Sequence, residues 1–316
     1  MSNKLILAVV GATGTQGGSV MDNVLSRPEL STKYTIRGIT RNPASDKAKA
    51  LSARGVEVVK ADLDDLESLK AAFSGTWGVF GVTDFWSLGS KAREIQQGKN
   101  IFHACQARNV EHLVWSSLPN VTKLSNGRRH LVDQFDGKAE VEESIESNKG
   151  SMIASYFMPA MFIDNMKQTV NDHGHGPVMA LPFPDSNIPI PYIDAKRDAG
   201  KYVLGLFEAG EKANGVKVQG VSFWTTPAEL VAAIGNHVGK QVNFVSLPGE
   251  VFASFLPENM KDPVTDMLLW VGEDSYYGRG SELKQSESET FLVKNAELQS
   301  LSGFLELGGS WGSWGI

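Results

Sequence analysis

Residues Val9–Val20 read VVGATGTQGGSV and directly follow the apolar run Leu5–Ala8. Three glycines, Gly11, Gly14 and Gly17, have the spacing G-x-x-G-x-x-G. Gly11 permits a tight turn out of a strand, Gly14 lets the backbone approach a pyrophosphate, and Gly17 lets a helix pack close to the sheet. Phosphate groups bind favourably at the positive N-terminus of such a helix. The stretch therefore predicts a strand, a turn that binds a dinucleotide, and a helix.

Short apolar runs alternate with segments of helical period through the first half of the chain. We predict strands at Lys4–Val10, Tyr34–Thr40, Glu57–Lys60, Trp77–Thr83, His112–Ser116 and Met152–Phe157. We predict helices near Gln16–Ser26, Ser45–Ala53, Asp65–Phe73, Lys91–Arg108 and Asp136–Asn148. This alternation implies right-handed crossovers and a mostly parallel sheet that is covered on both faces. The predicted fold class is α/β, a doubly wound Rossmann sheet.

The composition of the chain changes after residue 158. The stretch Asn171–Pro191 contains five prolines and is predicted to form loops or short edge strands. Further on we predict a helix near Asp198–Ala209, a strand near Gly220–Trp224 and a helix at Pro227–Val238, which Thr226 caps. We expect a Rossmann domain at 1–158 and a smaller C-terminal α/β region at 159–316, and leave open whether segments of the second return to the main sheet.

The overall composition excludes several classes of protein. The formal net charge is −6 and no run of Lys or Arg forms a basic arm, which argues against direct nucleic-acid binding. No apolar segment approaches the roughly 20 residues of a membrane helix, and the first residues do not resemble a signal peptide. The single cysteine, Cys105, is predicted to be a core thiol. These features predict a cytoplasmic or nuclear protein, and they leave the oligomeric state open.

The end of the second predicted strand distinguishes NAD from NADP. An NAD site has Asp or Glu at this place, whereas this chain has Thr40, Arg41 and Asn42. A guanidinium group suits a 2′-phosphate, which a carboxylate would repel. Arg41 therefore favours NADP(H), the alternative being that it is only a solvated loop charge. Asp62 follows the third strand and is placed to approach the adenine.

Several stretches together resemble the NmrA-like proteins, which are atypical members of the short-chain dehydrogenase superfamily. The resemblance rests on GATGTQGGSV, TRNPASDKAKAL, GVEVVKADLDD, GVFGVTDFW, HLVWSSL, FDGKAEVEESI and MPAMFIDNM. It implies a Rossmann domain, a small C-terminal domain and a cleft between them that binds NADP(H). The predicted cofactor-binding residues are Gly11, Ala12, Thr13, Gly14, Thr15, Gln16, Gly17, Thr40, Arg41, Asn42, Asp62, Leu63, Thr83, Asp84, Phe85, Lys138, Pro159, Phe162 and Asn165.

The catalytic residues of ordinary short-chain dehydrogenases are incomplete in this sequence. Those enzymes use Tyr-x-x-x-Lys, in which the tyrosine donates a proton as hydride moves. Here Lys138 has Gln134 four residues before it, and Phe135 cannot transfer a proton. Ser116 and Ser117 do occupy the region of the serine that orients a carbonyl. The missing group is therefore the acid.

Other residues are weak candidates for that acid. His130 precedes Lys138 in a predicted loop, Tyr156 precedes the Met158–Ala160 turn, and Tyr192 could reach the cleft from the smaller region. Each is more often structural than catalytic at such a position. His173 and His175 flank a glycine in a Pro/Gly-rich loop with no nearby Cys, so no metal site is predicted.

Two functions remain compatible with these residues. The NmrA-like resemblance includes regulators that bind dinucleotide and contact other proteins, such as a transcription regulator. The absence of a tyrosine acid favours this redox-sensing function. The alternative is an NADPH-dependent reductase of a quinone, carbonyl or imine, because hydride transfer needs position and an electrophile more than it needs a protein acid.

Overall fold

The structure is a computed structural model that describes residues 4–172 and 176–308. Its thirteen described strands are, in chain order from β1 to β13, Leu5–Val9, Tyr34–Thr40, Glu57–Lys60, Gly78–Gly81, His112–Ser116, Ile153–Pro159, Met161–Phe162, Val170–Asp172, Pro177–Leu181, Ile190–Ile193, Lys217–Gly220, Phe223–Thr225 and Asn243–Ser246. His173 and His175, which the sequence analysis considers as metal ligands, and the tail after residue 308 lie outside the described residues.

The described α-helices are, from α1 to α15, Thr15–Ser26, Pro28–Lys33, Asp46–Ala53, Leu66–Ala72, Phe85–Leu88, Lys91–Ala107, Val121–Leu124, Asp133–Asn148, Ile163–Met166, Ala195–Ala209, Pro227–Val238, Gly249–Ala253, Lys261–Asp274, Gln285–Glu289 and Leu301–Glu306. Short 3-10 helices cover Gly210–Ala213, Glu258–Met260 and Ser281–Lys284. Among the described helices, none combines the length and the apolar character that a membrane span requires.

Seven strands form one sheet in the order β11-β6-β5-β4-β1-β2-β3, and every pairing in it is parallel. The strand that leads into the glycine turn, β1, lies between β2 and β4 near the middle of the sheet. Buried apolar side chains cover both faces of the sheet. The doubly wound α/β fold predicted from the sequence is therefore confirmed.

The C-terminal half contributes to the main sheet as well as to two small sheets. Strand β11 pairs with β6 and thereby completes the seven-stranded sheet. Helix α10 packs against α1, where the backbone N–H of Gly200 donates to Ser19 Oγ at 2.9 Å. The small sheets have the orders β12-β10-β7 and β13-β9-β8. The region after residue 158 is thus interwoven with the region before it.

Two sequence-based expectations for this half have clear outcomes. The single strand predicted at Gly220–Trp224 is wrong. The chain leaves the main sheet at Gly220 and enters a different sheet at Phe223, because the backbone N–H of Ser222 donates to Tyr192 O at 2.7 Å. The predicted start of α11 is confirmed, since Thr226 and Glu229 form a reciprocal capping box.

The predicted core thiol is also confirmed. Cys105 lies on α6 and is fully buried with the apolar cluster that contains Ile101, Phe102 and Trp115. Burial raises the pKa of the Cys105 thiol, which keeps it in the unreactive protonated form.

Candidate functional site

A cavity of about 1260 Å³ lies at the carboxyl ends of the parallel strands. Open α/β sheets bind their ligands at this edge. One part of the cavity is lined by the glycine turn and by the residues that follow β2, β3 and β4. The other part is lined by apolar side chains of the C-terminal half. Pockets for one small ligand are typically about 300–1,000 Å³, so this cavity is large enough for more than one small molecule.

The glycine turn has the geometry that the sequence predicts. Gly11 has a φ of +66°, which an L side chain rarely adopts. A Cβ atom at Gly17 would lie 2.4 Å from the carbonyl oxygen of Gly11, so α1 can approach the turn only with glycine there. The first turn of α1 contains no acidic residue, and its capping residue, Gly14, has no side chain to bond the free N–H groups. These N–H groups remain available to an anion.

Arg41 lines the cavity directly after β2. Its guanidinium group has neither a hydrogen bond nor an ion pair within the part of the chain that the structure describes. Around it, Asn42 Oδ1 accepts from the Ala44 backbone N–H at 3.1 Å and shapes the turn. A hydrogen bond from Arg93 is the main cause that lowers the pKa of Asp64, and Arg41 adds a smaller electrostatic effect. Arg41 is thus an unpaired cation at the rim.

The two predicted acidic residues of this rim also shape turns. Asp62 Oδ1 accepts from the Asp64 backbone N–H at 3.0 Å, and Asp84 Oδ1 accepts from the Ser87 backbone N–H at 3.4 Å. Both side chains line the cavity, so they combine a structural role with access to a ligand. Among the predicted cofactor-binding residues, Ala12 and Asn42 do not line the cavity, and the remaining seventeen do.

Lys138 lines the cavity from α8 and is held by a buried carboxylate. Its Nζ atom lies 3.2 Å from Thr83 Oγ1 and forms an ion pair with Glu94. Glu94 is 0% exposed, and its second oxygen, Oε2, has no hydrogen-bond partner among the described atoms. A Cβ atom at Gly137 would lie 3.0 Å from this oxygen. Glu94 therefore fixes the position of Lys138 from behind the cavity wall.

The two serines of β5 and its following loop have different surroundings. Ser116 Oγ donates to Gln16 Oε1 at 2.8 Å, which places it beside the glycine turn. Ser117 Oγ donates to Glu142 Oε2 at 2.5 Å, and Glu142 in turn pairs with Lys217. Neither serine lines the cavity. Ser116 contacts the cavity only indirectly, through Gln16, which lines the cavity.

The candidates for a substitute acid are not brought to the cavity. His130 is exposed on the loop before α8. Tyr156 is fully buried, and its hydroxyl donates to Glu146 Oε1 at 2.7 Å. Tyr192 is also buried, with its hydroxyl 3.4 Å from Met166 Sδ. None of the three lines the cavity, and burial raises the pKa of both tyrosines.

Gln134, which stands in place of the tyrosine, does line the cavity. Its Nε2 atom donates to the carbonyl oxygen of Pro263 at 3.0 Å and so joins α8 to α13. Its Oε1 atom is buried without a hydrogen-bond partner among the described residues. An amide does not transfer a proton as a phenol does, so Gln134 can orient a ligand but cannot act as an acid.

The second part of the cavity was not predicted from the sequence. We call it the apolar chamber. Its lining residues from the C-terminal half are mainly aliphatic and aromatic, among them Val178, Ala180, Leu181, Leu247, Phe252, Phe255, Leu256, Met260, Val264, Met267, Leu268 and Tyr276. The uncharged polar residues Gln168, Thr169 and Asn171 of this half line the same cavity. Among the described residues that line the cavity, the charged ones are Arg41, Asp62, Asp84 and Lys138, and all four belong to the Rossmann half. The chamber therefore suits an uncharged, mostly apolar molecule.

Sequence reasoning also missed Glu94, although a signal for it existed. Glu94 shares a helical face with Gly98, Ile101 and Cys105, all of which are buried. A charged residue on an apolar face indicates a buried ion pair. No comparable signal existed for Tyr276, because its place in the wall depends on contacts between distant segments.

No group of three or more His, Cys, Asp or Glu side chains within residues 4–172 and 176–308 has an arrangement that could hold a metal ion.

Comparison with known proteins gives the family of the chain. The model of the NmrA-like family matches residues 2–305. The NmrA-like family domain-containing oxidoreductase hkm9 of Aspergillus hancockii is 30% identical over 272 residues, which cover 81% of this chain and 80% of the relative. The corresponding oxidoreductase himF of Aspergillus japonicus is 29% identical over 297 residues, covering 89% and 88%.

Solved structures share the fold at low sequence identity. NmrA, described as a negative transcriptional regulator, in complex with NADP has a TM-score of 0.77 at 19% identity and covers 95% of this chain and 94% of its own. The NADPH-dependent quinone oxidoreductase QOR2 of Escherichia coli, complexed with NADPH, has a TM-score of 0.75 at 22% identity, with 95% and 99% covered. The match to the family model extends over almost the whole chain, and the protein belongs to the NmrA-like family.

Proposed function

We propose that this protein is an NADPH-dependent reductase of an uncharged, mostly apolar small molecule. The observation that carries the proposal is the continuity of the cavity, which joins the glycine turn to the apolar chamber past Lys138. A protein that only senses a dinucleotide has no need of a second, apolar compartment beside it. The curated relatives are named oxidoreductases, which supports the same function. The sequence alone favours a redox sensor over a reductase, and we now favour the reductase.

The Rossmann half fits a phosphorylated dinucleotide. The uncapped N-terminus of α1 suits the pyrophosphate, and the unpaired guanidinium group of Arg41 suits a 2′-phosphate. Thr83 and Lys138 line the cavity side by side and would hold the nicotinamide half. When bound, NADPH would supply hydride. The residues of this chain bind it, orient it and exclude water from the chamber.

The chamber selects the second substrate by its chemistry. Burying apolar surface is favourable by about 25 cal/mol per Å², whereas an unpaired charge would lose its hydration without compensation. The flexible side chain of Met267 on α13 can adapt to ligands of different shape. An uncharged, mostly apolar molecule with one electrophilic carbonyl or imine carbon satisfies these conditions.

Two measurements test the proposal. NADPH should raise the melting temperature, because a ligand that binds only the native state stabilises it. Oxidation of NADPH, followed at 340 nm, should then depend on an added acceptor from a panel of aromatic aldehydes, ketones, quinones and cyclic imines. Stabilisation by NADPH with no turnover of any acceptor would contradict the reductase.

Stabilisation without turnover would favour the alternative function, a redox sensor. Two facts support that alternative. Gln134 occupies the position of the tyrosine acid and is engaged with Pro263. A structural neighbour, NmrA, is described as a negative transcriptional regulator. For a sensor, the affinity for a protein partner should differ between the NADP⁺-bound and NADPH-bound states, as measured by pull-down from the same extract.

A further inference from the structure

Tyr276 lines the apolar chamber two residues after the end of α13. The residue is only 5% exposed, and its ring meets the ring of Phe135 edge to face, with 5.1 Å between the centroids. Phe135 follows Gln134 on α8, the helix that also carries Lys138. Tyr276 therefore belongs to the wall that faces the cofactor end of the cavity.

The hydroxyl of Tyr276 differs from the other phenols of the chain. The sequence has six tyrosines, all within the described residues. Five have a hydroxyl partner, respectively Glu208 for Tyr34, Glu146 for Tyr156, Met166 for Tyr192, Val221 for Tyr202 and Met158 for Tyr277. Tyr276 has none among the described residues. Its oxygen atom does not belong to the fully buried atoms that lack a partner, and the residue lines the cavity, so the hydroxyl is open to a molecule bound in the chamber.

The backbone before Tyr276 is strained. Ser275 has φ 67° and ψ 164°, a region that is essentially restricted to glycine. The hydroxyl of Ser275 is also buried without a hydrogen-bond partner in the described part of the chain. Such conformations persist only where surrounding contacts impose them, and they cluster at ligand sites. The strain turns the chain sharply at the end of α13 and directs the Tyr276 side chain into the wall.

A cluster of ion pairs holds the chain on either side of Ser275. Asp274 accepts from Arg279 Nε at 2.7 Å and also pairs with Arg128. Arg128 Nη1 lies 2.5 Å from Glu273 Oε2, and Arg129 Nη1 lies 3.1 Å from Asp266 Oδ1. These bonds fasten the end of α13 to the loop before α8. The turn that carries Tyr276 is thereby joined to the loop that leads into α8.

Resting on the reductase function above, we propose that the phenol of Tyr276 is the proton donor that replaces the absent Tyr-x-x-x-Lys tyrosine. Hydride adds to the carbonyl carbon of the substrate, and the π electron pair of the C=O bond moves to oxygen. That oxygen forms a bond to the phenolic proton as the O–H bond of Tyr276 breaks. The phenolate then regains a proton from water. The sum is NADPH, a proton and a carbonyl compound giving NADP⁺ and an alcohol.

The Tyr276 phenol carries the proton that this step needs. Burial raises the pKa of the phenol, so the group keeps its proton at neutral pH until a base appears beside it. The oxyanion that develops on the substrate is such a base. The five other phenols already donate to groups of the protein.

The test compares Tyr276→Phe with Tyr277→Phe, which removes a neighbouring hydroxyl outside the cavity lining. With NADPH and 2-naphthaldehyde, Tyr276→Phe should lower kcat/KM about 100-fold or more. Tyr277→Phe should stay within about threefold of the wild type, because the Tyr277 hydroxyl bonds the backbone oxygen of Met158 and the residue does not line the cavity. The Kd for NADP⁺ should be unchanged in both variants. Turnover by Tyr276→Phe close to that of the wild type overturns the proposal, whatever the binding results.

A binding measurement separates this proposal from the reductase function. Titration of the cofactor-free protein should show that Tyr276→Phe weakens 2-naphthaldehyde binding about three- to tenfold, the effect of one neutral hydrogen bond. Binding of 2-vinylnaphthalene, which has the same shape but no carbonyl oxygen, should not change. Equal losses for both ligands, or no loss for either, overturn the proposal. A selective loss in a protein without turnover supports Tyr276 as the carbonyl donor and counts against the reductase.

Discussion

The carboxylate of Glu94 and the ammonium group of Lys138 form a buried ion pair, and Thr83 Oγ1 lies within hydrogen-bond distance of both. Removing one partner of such a pair leaves an uncompensated charge, which costs about 3–5 kcal/mol. We expect Glu94→Gln to lower the free energy of unfolding by about 3 kcal/mol, as measured by urea denaturation. NADPH should also bind more weakly, since Lys138 loses its fixed position.

An ion pair at the surface between the same two helices, α6 and α8, provides the control. Glu140→Gln removes the partner of Lys91, whose Nζ atom lies 2.7 Å from Glu140 Oε1. Because both side chains are partly exposed, this change should cost no more than about 1 kcal/mol. Equal stabilities of the Glu94 and Glu140 variants would show that the buried pair has no special role.

Arg41 is expected to decide between NADP(H) and NAD(H). Charge-assisted hydrogen bonds contribute about 1.5–3 kcal/mol, so Arg41→Ala should reduce the preference for NADPH over NADH by roughly 10- to 150-fold. Isothermal titration with the four dinucleotides measures this preference. Arg54→Ala, which removes the surface partner of Asp22, should leave it unchanged. A wild-type protein that binds NADH as tightly as NADPH would refute the assignment.

The adjacent glycines of the turn allow a matched comparison. A Cβ atom at Gly17 would lie 2.4 Å from Gly11 O, whereas one at Gly18 would meet nothing within 4 Å. We expect Gly17→Ala to destabilise the protein by about 1–3 kcal/mol and to abolish the NADPH-induced rise in melting temperature. Gly18→Ala should stabilise it by about 0.5–1 kcal/mol, because alanine is the better helix former. If Gly17→Ala still binds NADPH, the turn is not the phosphate site.

His112 makes stability depend on pH. Burial lowers its pKa from 6.5 to about 4 in the folded protein. The unfolded chain therefore binds more protons than the folded chain between these values, and the free energy of unfolding falls as the pH decreases through this range. From pH 7 to pH 5 we expect His112 to account for a loss of about 2 kcal/mol.

Two measurements check this dependence. Imidazole NMR signals of His112 in the wild type should titrate with a midpoint near pH 4. The change in unfolding free energy between pH 7 and pH 5 should be smaller in His112→Gln and unchanged in His103→Gln, since His103 is exposed. A midpoint for His112 near 6.5 would contradict the expected origin of the effect.

The sequence predicts the cavity lining around the glycine turn better than the chamber. Gly11 to Gly17 form one continuous stretch. Each glycine is required by the backbone geometry of the turn itself, so the sequence alone predicts its role. Arg41 follows a strand whose bounds, Tyr34–Thr40, were predicted as observed. Position at the end of a parallel strand is enough to bring such residues together.

The chamber depends on contacts that no local pattern reveals. Tyr276 and Phe135 meet although 141 positions separate them. Helix α13 was not predicted, and its Met and Leu side chains resemble ordinary core residues in the sequence. The predicted acids His130 and Tyr156 lie outside the cavity lining because sequence proximity to Lys138 or to a strand end does not determine the direction of a side chain.

Strand β11 has a consequence for the newly synthesised chain. The neighbour of β6 in the main sheet comes from Lys217–Gly220, so the Rossmann sheet is incomplete when its first six strands have left the ribosome. At about 5–20 residues per second, the next sixty residues or so require several seconds, during which β6 is an unpaired edge. A ribosome-bound chain from which β6 has emerged should therefore recruit chaperones, and a chain from which β11 has also emerged should release them.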